Sequence, residues 1–516
     1  MKRALAALTA LLAGQAGAAT LQVGPGQTYA KPCDAIAAAS AGDVIEVDAS
    51  GDYTGDYCAW STDALTIRGV NGRAKIDNTG LATTVAGEKG IFTIEPPAQS
   101  VTIENFELAG AAIDAGTQPG DDNGAAIRHQ VENLTVSNCY FHDDQDGILG
   151  SPPTNGTGNV LIQFSEFANN GAGDGYTHNM YLGQYGTVTV QYCYSHEANR
   201  GHLLKSRGWT NYVLYDLLAD LGDGSSSYEL DLPQGGLSYV IGNAIEQSQT
   251  GASQGNSIIV NYAEENQDNP IQQLYLVGNT IVNDASAGTF LHVGGTPSVV
   301  EIDDIFHGAG SLTGGAPGLL SQSHDWTDAQ GDPLLVNQAA YDYDLSAGSP
   351  CIDAGIDPGT TDGGVALEPV AEYLATASGV TRDNAHWDIG AFEYEDDGGL
   401  VDGGFTFPDG GSGSSSGSTG TASGGSSGGI TGSSGGASTG GKGSSGAASS
   451  GGASGTAGRS GTSNTGGTGS NTGGATSGAA DGGTAKASGG CGCGAAGADL
   501  SLLGMAALAL LRRRKR

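Results

Sequence analysis

Between Asn133 and Phe306 one pattern recurs: apolar and polar residues alternate over a short stretch, then a small polar residue follows, then another apolar one. It reads LTVSNCYF at 134–141, VLIQFSEF at 160–167, VTVQYCYS at 188–195, YVLYDLLA at 212–219, YVIGNAI at 239–245, LYLVGNTI at 274–281 and VVEIDDIF at 299–306. Successive copies lie 24 to 35 residues apart. A second short strand pattern falls between each pair, as in DGILG, HNMYLG, HLLKSR and YELDLP. Alternation with period two predicts strands that send Leu134, Val136 and their equivalents inward and the intervening residues outward. Such a repeat period with two or three short strands per copy, and no long helical pattern, predicts a solenoid whose rungs bury their apolar faces only by stacking. Upstream, Val44–Val47, Leu65–Gly69, Ile91–Ile94 and Val101–Leu108 read as strands, and the alanine-rich stretch 32–41 reads as a short helix.

Aligning the copies puts Cys139, Ser165, Cys193, Asn243 and Asn279 at one position. Small polar side chains stacked there can hydrogen-bond the backbone turn of a neighbouring rung. Cys139 and Cys193 are then two rungs apart, about 9.6 Å at the usual strand spacing, too far for a disulfide. The repeat, over residues 21–307, resembles the right-handed parallel β-helix proteins of the pectate-lyase-like superfamily. The resemblance implies an all-β chain: a right-handed parallel β-helix over 20–310 with a short N-terminal capping helix. The stretches DPLLVNQAAYDYDLSAGSPCIDAG (332–355) and TRDNAHWDIGAFEY (381–394) resemble the closing module that follows many secreted β-helices. A C-terminal β cap over 311–402 is therefore expected, covering the open strand edge of the solenoid.

The two ends carry a different kind of sequence. Residues 1–19 combine Lys2-Arg3, an apolar run and a small-residue end, the pattern of a secretory signal peptide. Residues 403–490 are mostly Gly, Ser, Thr and Ala, with too little apolar mass to offset ordering entropy, so a disordered linker is expected. Residues 491–516 join Cys491-x-Cys493, an apolar run from Leu500 to Leu511 and five terminal cations. That run is too short to span a bilayer comfortably, which takes about 20 residues. It resembles the myxobacterial C-terminal sorting signal, which implies that Cys491 or Cys493 is the anchor point. The protein is then exported, and either held at the cell surface on the outer membrane or secreted. Membrane contact is expected only through this tail.

The formal net charge of −35 argues against nucleic acid as a partner, because the surface as a whole repels a polyanion. Seven cysteines divide five and two between body and tail. Cys33 and Cys58 lie in the first segment of an exported chain and can pair. The odd body count leaves Cys139, Cys193 and Cys351 with at least one thiol unpaired.

Against that acidity, Arg200, Lys205 and Arg207 are the only Lys or Arg between residues 129 and 381, and they fall within eight positions beside His202. If Met180, Leu204 and Leu230 point inward, Tyr181, Lys205 and Asp231 form an outward column on neighbouring rungs about 4.8 Å apart. Arg207 lies on the same side, and His178, His202 and Tyr228 align where these strands begin. Such a face suits an extended acidic polysaccharide. Eliminating across a uronate requires a carboxylate clamp and a base. Arg207 has the bidentate fork, Lys205 serves as base if neighbouring cations lower its pKa, and His202 and Tyr181 handle the second proton. Arg200, His178, Asn179, Glu229 and Asp231 are the expected substrate contacts. The Lys-Ser pair after two apolar residues resembles the lysine-bearing strand of alginate-lyase-type β-helices. A monomer is expected.

Three other readings use the same residues. Cross-rung ion pairs, Lys205 with Asp231 or Glu229 and Arg207 with Asp216, would make the cluster structural. A non-catalytic glycan-binding or adhesive rod would need the face but no proton transfer. A glycoside hydrolase would draw two carboxylates from Glu229, Asp231, Asp216 and Glu197. None of these readings fixes a cofactor. Asp143, Asp144, Asp146, Asp174 and Asp223 mostly precede glycine at turns, and some could hold Ca²⁺. The spacing of His142, His196 and His202 fits no standard zinc motif.

Overall fold

The computed structural model describes residues 17–81, 89–114, 120–222, 224–249, 257–382 and 386–394. The signal-peptide pattern up to residue 16, the linker, Asp223, and the tail with Cys491 and Cys493 lie outside the described residues.

Three parallel sheets run the length of the solenoid. Sheet A has twelve strands, from Thr20–Val23 to Leu319–Ser323; sheet B has ten, from Cys58–Trp60 to Ser311–Gly315; sheet C has ten, from Ala74–Asp77 to Trp326–Thr327. From Ser100 on, the chain visits A, C and B in turn and arrives one rung higher, which gives a right-handed parallel β-helix. The inward column Val136–Ile162–Val190–Val213–Val240–Leu276 shows the expected alternation in register. Its members are 1% exposed or less. Burying one such side chain stabilises by about 1.5–3 kcal/mol. The helix Pro32–Ala38 buries Ala35 and Ile36 near the first strands. Cys33 is bonded to Cys58, with Cα atoms 5.8 Å apart. Cys139, Cys193 and Cys351 are free and buried.

The aligned polar column is an internal hydrogen-bond ladder. Each rung's backbone N–H at this corner donates to the side chain of the rung above: Cys139 to Ser165 Oγ, Cys193 to Asp216 Oδ1, Asp216 to Asn243 Oδ1, Asn243 to Asn279 Oδ1 and Asn279 to Asp304 Oδ1, all between 2.7 and 3.1 Å. Asn243 and Asn279 also donate downward, to the Val213 and Val240 carbonyls at 2.9 Å. The residue before each ladder position turns the corner with positive φ: Asn138, Phe164, Tyr192, Tyr215 and Asp303 have φ between 50° and 58°. Asparagine and aspartate tolerate this. For Phe164, Tyr192 and Tyr215 it costs about 1–2 kcal/mol each, offset by ring stacking at 5.0 and 5.3 Å.

The segment from Leu335 to Tyr394 contains two small antiparallel pairs, Leu335–Asn337 with Asp342–Leu345 and Ala371–Leu374 with Ser378–Thr381. It lies along the flank of the solenoid. Leu367 and Ala371 pack with Tyr215, Tyr239, Ile241 and Val277; Tyr343, Tyr373 and Phe392 pack with Leu217, Ala244 and Val282. Buried Arg382 bonds Glu393 at 2.8 Å and fixes the segment's own turns. No strand of sheet B contributes to these packing clusters. At the end of the solenoid the interior turns polar instead, with Glu301, Gln322, Asp304 and Asp325 inward, and Leu319 and Leu320 are 58% and 36% exposed.

Asp216 stands where asparagine stands two rungs running, and its Oδ2 is buried without a partner. Burial pushes its carboxyl well above the usual carboxylate range. A group whose pKa is raised on folding contributes stability below its unfolded pKa and loses it as pH rises. Asp216→Asn supplies an amide that reaches the Val190 carbonyl, as its equivalents do. Unfolding in urea should then show the variant more stable by about 1–3 kcal/mol at pH 8, the gap closing toward pH 4. Equal stability at both pH values would rule out the protonated ladder.

Candidate functional site on the outer face of sheet B

Strand pairing places the outward residues of sheet B in one column: Arg128, Leu149, Tyr181, Lys205, Asp231, Asn261 and His292 on successive rungs. The expected alignment of Tyr181, Lys205 and Asp231 is present, and Leu204 and Leu230 are fully buried behind it. Just inside, Ser206 Oγ donates to Asn211 Oδ1 at 2.6 Å and Asn211 donates to Ser238 Oγ at 3.0 Å, so the strand carrying Lys205 is pinned from within.

Lys205 Nζ lies 2.8 Å from Asp231 Oδ2, and His202 Nε2 lies 3.3 Å from the same oxygen. Asn261 Nδ2 donates to Asp231 Oδ1 at 2.8 Å, and Asn261 Oδ1 faces His292 Nδ1 at 3.0 Å. A hydrogen-bonded line therefore crosses four rungs from Lys205 to His292. Asp231 is 1% exposed, and with its carboxylate oxygens bonded on both sides its burial is balanced by charge-assisted bonds.

Arg207 works at the other end. Its Nε donates to Tyr181 OH at 2.9 Å, and its two terminal nitrogens form a fork on the Glu265 carboxylate, one of them at 2.8 Å. Lys205 Nζ and the Arg207 guanidinium carbon lie 5.6 and 5.7 Å from the Tyr181 ring centroid. Two cations thus lie close to one phenol ring.

His178 and His202 stack at 4.5 Å, and His202 stacks on Tyr228 at 4.9 Å. The His202 backbone N–H donates to His178 Nδ1 at 3.0 Å. Burial pushes both imidazoles well below the ordinary histidine range; Lys205 and Arg207 push His202 further, while His202 and Lys205 do so for His178. Both shifts favour the neutral imidazole.

The remaining expected contacts fall elsewhere. Arg200 sits in the turn before the strand and donates to the Gly173 carbonyl. Asn179 is fully buried; it bonds Ser195 and the His196 carbonyl and so joins the corner network rather than the ligand face. Glu229 points into the solenoid, at the rung position of Leu203 and Ile259, and bonds Ser226 Oγ at 3.0 Å. The cause is a corner at which two successive residues, Leu203-Leu204 or Glu229-Leu230, both turn inward. Burial, with Asp220 and Glu246 adding, holds the Glu229 carboxyl well above its usual range. Asp216 lies in the internal ladder and Glu197 bonds His196 on sheet C, so Arg207 pairs with Glu265 instead of Asp216. Asp144, Asp146 and Asp174 accept backbone N–H groups at 2.6 to 2.9 Å and Asp143 bonds His142. Among the described residues, no group of three or more His, Cys, Asp or Glu is arranged to hold a metal ion.

Asn261, His292, Glu264 and Glu265 were not anticipated from the sequence. Counting rungs beyond Asp231 would have found Asn261 and His292. Nothing in the strand pattern points to the loop glutamates.

No family model and no curated protein matches this chain. Among solved structures it is similar to pectate lyase Pel9A, at 11% identity and a TM-score of 0.41, over 74% of this chain and 98% of that one. It is also similar to pectin methylesterase PemA from Erwinia chrysanthemi (12%, TM-score 0.28, over 63% and 94%) and to the pectin methylesterase from Aspergillus niger (12%, 0.26, over 60% and 85%). The fold assignment rests on the strand registers described above.

Proposed function

We propose that the outer face of sheet B binds an acidic polysaccharide and cleaves it by β-elimination next to a uronate. The observation that carries this reading is the Tyr181 phenol set against both Lys205 and Arg207 of the next rung. Elimination needs a proton removed beside a carboxylate, so both the carboxylate and the charge that develops must be met by cations. An ammonium that forms half of an ion pair has no lone pair to offer, so Lys205 serves as fixed charge rather than base. Tyr181 is the proton-transfer group: its oxygen, as phenolate met by Arg207 Nε, takes the proton from the carbon beside the carboxylate, the C=C bond forms as the C–O bond to the leaving sugar breaks, and the phenol returns that proton to the leaving oxygen. His202 and Asp231 hold Lys205 in place. Arg207 keeps two terminal nitrogens aimed away from Tyr181, the fork a substrate carboxylate would use.

A second reading, a rod that binds glycan without cleaving it, is favoured by one fact: both cations are already paired within the chain, to Asp231 and Glu265. The hydrolase reading has less support, since only Asp231 of its four candidate carboxylates faces the column.

Incubating the full chain with a panel of polyuronates should give ultraviolet absorbance from an unsaturated product. Tyr181→Phe and Lys205→Ala should each lower kcat by about 10²-fold or more, while Arg207→Lys, which loses both the fork and the Nε donor to Tyr181, should raise KM and lower kcat together. Retention of the glycans with no absorbance change would transfer the case to the binding rod.

Ring resonances of His202 followed by NMR should show a neutral imidazole down to pH values below the ordinary histidine range. Lys205→Ala removes one of the two nearby cations, so the His202 pKa should move up. A titration left unmoved would assign the whole depression to burial and remove Lys205 from the site's electrostatics.

A further inference from the structure

We infer that Glu265 is a built-in stand-in for the substrate: its carboxylate occupies the seat on Arg207 that a uronate carboxylate takes, and substrate must displace it. The inference rests on the acidic-glycan reading above and deepens it. The Glu265 oxygens engage both terminal nitrogens of Arg207, which is the bidentate arrangement an incoming carboxylate would adopt. The Arg207 side chain is only 16% exposed, whereas that of Glu265 is 40% exposed, so the cation is fixed in the wall of the face and its partner comes from the solvent side. Arg207 is further fixed by Tyr181, so removing Glu265 leaves the fork in place and aimed outward.

Glu265 is held where a competitor should be. Its backbone N–H donates to the Pro233 carbonyl at 2.8 Å, and the Ala263 N–H donates to the Leu232 carbonyl at 2.9 Å. The adjacent Glu264 accepts from Asn261 Nδ2 at 3.1 Å, the same amide that bonds Asp231. One short stretch, Ala263 to Glu265, therefore touches the partner of Lys205 through Asn261 and the fork of Arg207 directly. The pair is bidentate and its cation is largely buried, so a single free uronate competes with it poorly, while a chain bearing many carboxylates can displace the more exposed Glu265. The device selects for length: several neighbouring sugars must bind along the column before the Glu265 contact is lost.

The test uses the full chain and compares wild type with Glu265→Gln, Glu265→Ala and Arg207→Ala. Binding of polygalacturonate, polymannuronate and free glucuronate is measured by titration calorimetry, beside ultraviolet turnover. Thermal unfolding confirms that each variant is folded; the exposed position of Glu265 predicts that its variants are. The Glu265 variants should bind polyuronate about fivefold more tightly, and free glucuronate should become measurable, with both effects absent in Arg207→Ala. Tightening without turnover in any protein would sustain the stand-in and sink the elimination chemistry. Turnover in wild type with unchanged or weaker binding in the Glu265 variants would sink the stand-in and leave the enzyme reading intact. No uronate binding in any variant would overturn both.

Discussion

Everything in this chain depends on keeping successive rungs in register. A parallel solenoid has no turn that fixes pairing between neighbouring strands, so register must be enforced by side chains. Here the enforcement comes from a column of small polar residues inside one corner, each accepting the N–H of the rung below. An apolar residue at Asn243 or Asn279 would leave a buried donor unpaired, costing about 1–3 kcal/mol each. A slip by one residue would bury Lys205 and expose Leu204. The charged column on sheet B exists because the ladder on the opposite side of the rung does not slip.

That dependence explains how the face is assembled from residues far apart in sequence. Tyr181, Lys205, Asp231, Asn261 and His292 sit one above another because successive strands of sheet B pair in register. The loops between rungs vary in length without disturbing the column, as expected when loops project to the surface. The flanking segment uses up the aromatic and aliphatic surface of sheets A and C, and sheet B keeps its polar one.

Much of the fold was legible in the sequence. The repeat, its inward positions and the Tyr181–Lys205–Asp231 alignment follow from period-two alternation and the recurrence of the strand pattern in each rung. Three things were not legible, each for a physical reason. Glu229 reads as outward under strict alternation, but the corner turns two successive residues inward. Asn179 carries no signal separating a ligand contact from a corner bond. Glu265 lies in a loop, where no periodicity applies, and reaches Arg207 across 58 residues of sequence. The closing segment was expected at the strand edge; its sequence shows apolar residues to bury but not which surface they cover, and they match the flank.

The flanking segment also changes how the rod should come apart. A bare solenoid is a chain of nearest-neighbour couplings and can unzip one rung at a time from its weaker end, here the end whose interior turns polar at Glu301 and Asp304. A strip that touches Tyr192, Tyr215, Val277 and Ile305 at once acts as a splint. Peeling a terminal rung then means losing contacts shared with rungs several steps away, so partial fraying becomes as costly as wholesale loss. The body would behave as one cooperative unit.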